Sequence, residues 1–160
     1  MSEYYIAQIC ENGHVISSTL KNSSEQDQKF CHICGASTLI KCPQCQSPIR
    51  GKLFDMYGML ADYEAPNYCL NCGHAFPWTE NRLKAAHEFV QMQDKFSDEE
   101  RQFFDKSIDD LVKDTPSTTV SASKIKMLLN KAGPPMAAMF REIIIDVVSE
   151  TAKRILFPTN

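Results

Sequence analysis

The sequence predicts an α+β fold: two small β-hairpin modules in residues 1–79, followed by a small α-helical domain of about four helices in residues 80–160. Three observations lead there. All seven cysteines fall between positions 10 and 72. Glycine, proline and short β-prone runs punctuate that same half. The second half instead carries apolar residues at helical spacing between helix-start and helix-stop signals.

Within the first half, Tyr4-Tyr5-Ile6-Ala7-Gln8-Ile9 reads as a strand entering the first cysteine. Residues 17–29 are mostly polar and include the turn-prone Asn22-Ser23-Ser24, so they are expected to form an exposed loop. Pro48 to Phe54 reads as a turn into a strand.

An odd cysteine count argues against a closed disulfide framework. Six of the seven form C-x2-C pairs, Cys31/Cys34, Cys42/Cys45 and Cys69/Cys72. The seventh, Cys10, is followed four positions later by His14. Seven thiolates and one imidazole make four ligand pairs, enough for two tetrahedral zinc sites. Two intervening residues let a tight turn aim both sulfurs at one ion about 2.3 Å away. Gly35 and Gly73 supply the left-handed position such a turn favours, and Pro43 stiffens another. Redox-active C-x2-C pairs or buried free thiols are the bland alternative, but redox enzymes of this kind use one such pair, not three together with Cys10 and His14 within about 60 residues. His32 and His74 lie beside knuckles and compete with His14 as eighth ligand, whereas His87 falls on a predicted helix and reads as a surface residue. His14 is preferred because it pairs the otherwise solitary Cys10.

Sequential pairing places Cys10, His14, Cys31 and Cys34 on one ion and Cys42, Cys45, Cys69 and Cys72 on the other. It is favoured over an interleaved cross-brace, and a one-site pairing of the Cys31/Cys34 and Cys42/Cys45 knuckles stays open. Either way the expected cofactor is two zinc ions. Four protein ligands leave no open position, so both ions are expected to be structural.

Tyr57, Tyr63, Tyr68, Phe76 and Trp78 surround the second site in sequence and are expected to shield it. Trp78 is the aromatic most apt to be an interaction residue instead. Arg50 and Lys52 are the clustered positive charges of this half; they are candidate contacts for phosphate or an acidic partner, with solvated hairpin charges the more ordinary reading.

The second half starts with Thr79 as the cap of a helix from about Glu80 to Asp94. Ser97 and Glu100 form a capping box for a helix to about Lys113, with Phe104, Ile108, Leu111 and Val112 on one stripe. Asp114 to Ser117 ends it. A third helix spans roughly Ala122 to Ala132 and stops at Gly133-Pro134-Pro135. The last, from about Met136 to Leu156, offers a wide apolar face of Phe140, Ile143, Ile144, Val147, Val148, Ala152 and Ile155, suited to a bundle core or a partner.

Formal net charge is −3. The first 80 residues carry five Lys/Arg against eight Asp/Glu, and the rest twelve of each. That balance disfavours nucleic-acid binding, which rests on cations neutralising phosphates. The N-terminus has no basic-then-apolar signal pattern, and six charges interrupt the most apolar window, residues 137–157. A cytoplasmic protein with no membrane span is the expectation. No phosphate-cradling glycine loop, H-E-x-x-H or G-x-S-x-G occurs. Asp98-Glu99-Glu100 and Asp109-Asp110 read as a capped start and a solvated helix face.

Residues 8–14 (QICENGH), 30–51 (FCHICGASTLIKCPQCQSPIRG) and 68–80 (YCLNCGHAFPWTE) resemble the double zinc-ribbon pattern. With the PIRG and PWTE tails and the helical segments DLVKDTPSTTVSASKIKMLLNKAG and DVVSETAKRIL, the chain resembles an uncharacterised bacterial double zinc-ribbon family with a C-terminal helical segment. The resemblance implies the fold and the metal ligands, and no activity. The favoured function is a zinc-stabilised protein-interaction or adaptor module with a helical tail for docking a protein partner or self-association. A nucleic-acid-binding ribbon comes second, and an enzyme or enzyme subunit with no recognised catalytic residues comes last.

Overall fold

The computed structural model describes residues 4–21, 28–54 and 62–159. The turn expected at Asn22-Ser23-Ser24 and the shielding role expected of Tyr57 lie outside the described residues. The fold is α+β. A small antiparallel sheet of four strands, β1 (Tyr4–Cys10), β2 (Val15–Leu20), β3 (Thr38–Leu39) and β4 (Arg50–Leu53), precedes five helices. The helices are α1 (Pro77–Gln91), α2 (Asp98–Leu111), α3 (Pro116–Ala132), α4 (Pro134–Ile144) and α5 (Glu150–Leu156). The chain divides into two compact units, Met1–Glu80 and Asn81–Asn160.

In the first unit β1 is the central strand and pairs antiparallel with β2, β3 and β4. Ile9 opposes Val15 on one side and Leu39 on the other, and Ile6 opposes Arg50. Residues 17–20, expected in a loop, belong to β2. Its Ser-Ser-Thr run hides the strand, because β-pairing with β1 rather than apolar alternation holds it there. Gly51 permits a close approach: a Cβ there would sit 2.3 Å from the Ser18 carbonyl oxygen and 2.9 Å from that of Tyr5. The buried Gln8 side chain is satisfied by donating to Gln28 O at 2.7 Å and Thr38 Oγ1 at 3.0 Å. Ala7, Ile9, Ile49, Phe76 and Trp78 form the apolar cluster of this unit together with Cys42 and Cys69.

Helix α1 begins three residues earlier than its predicted start. Pro77 takes the first position, where its fixed φ fits and no amide is needed. Thr79 is therefore inside the first turn, buried, and its hydroxyl donates to Asn67 O at 3.0 Å rather than capping. The Ser97–Glu100 capping box is present, with Ser97 N to Glu100 Oε2 at 2.9 Å and Glu100 N to Ser97 Oγ at 3.2 Å. The predicted α2 stripe, Phe104, Ile108, Leu111 and Val112, is buried. Truncating a buried phenylalanine such as Phe104, edge-on to Phe140 at 5.2 Å, costs about 3–5 kcal/mol.

Two further helix boundaries differ from the sequence reading. Pro116 starts α3 rather than ending α2, with Thr115 as N-cap and Thr115 N donating to Thr118 Oγ1 at 3.0 Å. The long last helix is two, so the unit has five helices rather than four. Arg82 Nη1 binds Glu142 O and Ile143 O, both at 3.2 Å, and occupies carbonyls that a continuing helix would use. Ser149 N donates to Leu111 O at 2.8 Å, and Ser149 Oγ caps α5 by accepting from Ala152 N at 3.2 Å. Interception of the carbonyls on one side and a new cap on the other separate α4 from α5.

No helix among the described residues is long and apolar enough to cross a membrane.

Candidate metal centres

Four short turns position the donors, and they share one hydrogen-bond pattern. Cys31 N donates to Ala36 O and Gly35 N to Cys31 O, both at 2.8 Å. Cys42 N to Ser47 O and Gln46 N to Cys42 O repeat it at 2.8 and 2.9 Å, as do Cys69 N to His74 O and Gly73 N to Cys69 O. Around Cys10, Gly13 N donates to Cys10 O at 2.9 Å and Cys10 N to His14 O at 3.0 Å. Each turn closes through a residue with positive φ: Gly13 at 90°, Gly35 at 73°, Gly73 at 74° and, without glycine's freedom, Gln46 at 63°.

These turns bring together Cys10, His14, Cys31 and Cys34 in one quartet, and Cys42, Cys45, Cys69 and Cys72 in another, with ligand atoms within 4.8 Å of one another. The grouping is the sequential one. His32 and His74 are exposed and stand outside both quartets.

The distances test whether the donors fit a metal. A tetrahedral ion bound at about 2.3 Å to sulfur has sulfur–sulfur edges of about 3.8 Å. Cys10–Cys34, Cys42–Cys72 and Cys45–Cys69 Sγ separations are each 3.7 Å. With nitrogen at about 2.0–2.1 Å, sulfur–nitrogen edges come to about 3.5 Å. His14 Nδ1 lies 3.4 Å from Cys10 Sγ and 3.6 Å from Cys31 Sγ. A disulfide needs sulfurs about 2.05 Å apart, and all seven thiols are free. Both quartets could hold a tetrahedral metal ion.

Electrostatics point the same way. The Asn12 amide nitrogen, 3.4 Å from Cys34 Sγ, brings that thiol down to about 6, helped by the Ala36 backbone. Ser47, through its side chain and backbone, lowers Cys45 to about 5. At Cys72 the lowering backbone bond from His74 is outweighed by burial and three neighbouring thiols, leaving it raised to about 12. Burial likewise raises Cys10, against backbone bonds from His14 and Asn12. Crowded thiols therefore share charge unevenly: the first thiolate forms easily, the last does not, and a dication would offset the repulsion. His14 N to Cys10 Sγ at 3.3 Å and Ile33 N to Cys31 Sγ at 3.4 Å add donors that temper thiolate charge. Asn12 and Ser47 were not singled out from sequence; their position inside or beside a knuckle was the available signal.

The other sequence candidates fall elsewhere. Trp78 is 2% exposed, stacks on Phe76 at 4.5 Å, and its Nε1 donates to Pro66 O at 2.9 Å. It cannot serve a partner as an exposed platform: the ring lies in the core beside the second quartet, and a Cβ on Gly13 would be 3.1 Å from Trp78 Cβ. Tyr63 is half-buried against the same cluster, its hydroxyl raised to about 12 by burial and donating to Arg50 O. Arg50 is exposed with its guanidinium 4.1 Å over the Tyr4 ring, and Lys52 is half-buried. His87 is half-buried rather than a free surface residue, its Nδ1 2.5 Å from Asp105 and its Nε2 3.1 Å from Asp109. Asp110 accepts from Ser121 Oγ at 2.7 Å. Both carboxylates of the Asp109-Asp110 pair thus have structural partners, not only solvent.

No curated protein and no solved structure matches the chain. One family model does match, over residues 3–156, nearly the whole sequence. Two Cys-rich quartets consistent with zinc ribbons, followed by helices, thus belong with that match, and the chain is a member of the family described as "uncharacterized protein conserved in bacteria" (DUF2321).

Proposed function

We propose that this chain is a zinc-stabilised protein-interaction module, with a ribbon domain over residues 1–79 and a helical domain over residues 80–160 that docks a protein partner or a second copy. The observation that carries the reading is the closure of both quartets by four protein donors each. A closed site leaves no position for substrate or an activated water, so its metal acts on folding. Three thiolates with one imidazole, and four thiolates, are donor sets that suit zinc. Structural zinc contributes about 10–16 kcal/mol in small metal modules, more than the small ribbon core is expected to supply. Free thiols in such number suit a reducing compartment, in keeping with a cytoplasmic location.

Interaction is supported by what the knuckles present. Ile33 and Leu70, inside two C-x2-C turns, are 62% and 69% exposed. Apolar side chains on metal-stiffened turns lose little entropy on contact. In the helical domain Val120, Met127 and Met139 are exposed as well. The test pairs Ile33→Asp with Leu70→Asp, which touches no donor. The variant should keep its zinc and thermal midpoint yet lose the partner that crosslinks to the ribbon in host extract. Equal crosslinking by the variant overturns the reading.

The second reading, nucleic-acid binding, draws on Arg50 beside Tyr4 together with Lys52. Salt-sensitive retention on single-stranded DNA, abolished by Arg50→Glu with Lys52→Glu, would replace the first reading with this one.

A further inference from the structure

The two quartets share donor geometry but not setting. Cys42 and Cys69 belong to the buried cluster with Ile49, Phe76 and Trp78, and Cys45 and Cys72 pack half-buried against it. In the first quartet Cys10 and Cys31 are buried, His14 is half-buried, and Cys34 is the exposed one among the seven thiols. The side chain bonded to it, Asn12, is exposed too.

Oxidation of cysteine follows thiolate character and access. Metal coordination keeps a sulfur as thiolate, so an exposed ligand combines both requirements. Charge alone predicts the opposite order, because a four-thiolate site is more electron-rich than one with three thiolates and an imidazole. Access favours the first quartet.

We infer that Cys34 is an oxidant-reactive thiolate whose modification releases the metal of the first quartet while the second stays closed. The inference rests on zinc filling both quartets. The oxidant is hydrogen peroxide. The Cys34 thiolate attacks one peroxide oxygen, the O–O bond breaks and hydroxide leaves, giving a sulfenic acid. Cys10 Sγ, 3.7 Å away, attacks the Cys34 sulfur as a thiolate. The S–S bond forms and a second hydroxide departs. Two sulfurs have together lost two electrons, peroxide has gained two, and solvent protons convert both hydroxides to water. Cys31 and His14 remain as two donors, too few to hold the ion, which leaves as hydrated zinc.

The experiment uses the full-length reduced chain, its zinc content first established by elemental analysis. Peroxide is added, released zinc is followed with a chromophoric chelator, and surviving thiols are mapped by differential alkylation and peptide mass spectrometry. One equivalent should leave roughly tenfold faster than the other, with Cys34 and then Cys10 the first thiols lost. Cys34→His, which keeps a ligand but no thiol, should lose the fast phase, while Cys45→His should keep it. Simultaneous release, or earlier loss of Cys45 or Cys72, overturns the inference. If Cys34→His fails to hold its second zinc, the order of thiol loss in the unsubstituted chain decides alone. Fewer than two zinc ions in the untreated protein would overturn the zinc reading itself, a distinguishable result.

Discussion

Replacing Gly51 with alanine separates backbone approach from side-chain packing as the force shaping the ribbon sheet. The added Cβ would lie 2.3 Å from Ser18 O, 2.9 Å from Tyr5 O and 3.0 Å from the Ile6 carbonyl carbon. All three atoms are main chain, so no rotamer change removes the clash. An ordinary carbon–oxygen contact is about 3.3–3.6 Å, so β2 must retreat by about 1 Å. Overpacking of this kind costs about 1–3 kcal/mol, and losing one ladder hydrogen bond adds about 1 kcal/mol. The expected loss is therefore about 3 kcal/mol. Gly73→Ala is the control, because its φ is +74° and nothing lies within 4 Å of the new carbon. Its cost is the left-handed backbone, about 1–2 kcal/mol, less about 0.4–1 kcal/mol from the stiffer unfolded chain. Trp78, the single tryptophan, is buried in this unit and reports its unfolding by fluorescence. Guanidinium titrations in excess zinc should rank Gly51→Ala well below Gly73→Ala. Equal or smaller destabilisation at Gly51 would refute the claim that β4 and β2 meet through their backbones.

Gln46→Gly should raise the midpoint of the same titration by about 0.5 kcal/mol, since it relieves the one described non-glycine positive φ; a fall would contradict the strain argument. Arg82→Gln should destabilise the helical unit by about 2 kcal/mol in far-UV circular dichroism melts, mostly through the two α4 carbonyls; its bridge to Asp146 is too exposed to matter much. His87 has a raised pKa: burial pulls it down, but hydrogen bonds and charge from Asp105 and Asp109 outweigh that. A group raised on folding contributes stability that is fully present below its unfolded value, near 6.5, and lost as pH rises through the folded value. The stability difference between the native chain and His87→Gln should therefore shrink from pH 5.5 to pH 9, and a constant difference would show that the imidazolium contributes nothing.

The donor set was legible because its information is local. Each C-x2-C turn carries its own spacing, and Cys10 could find a partner only in His14 nearby. The family resemblance extended the same evidence across the helices. What escaped the sequence depended on distant partners. Ser17, Ser18 and Thr19 look like loop residues until β1 pairs with them. The break between α4 and α5 depends on Arg82, some sixty residues upstream, and on the α2 carbonyl of Leu111. Trp78 reads first as a shielding aromatic and second as an interaction residue, and it is Pro66 O and the Phe76 ring that fix it in the core. Gln46 gives no hint of a left-handed turn beyond its equivalence to Gly35 and Gly73.

Elemental analysis of the reduced protein, purified without chelator, addresses the metal claim most directly. Two zinc ions per chain are expected, falling to about one when Cys69 and Cys72 are replaced by serine, with Trp78 fluorescence shifting as the ribbon unit loosens. A chain that contains no zinc yet keeps the Trp78 environment and the cooperative unfolding of the native protein would contradict the account.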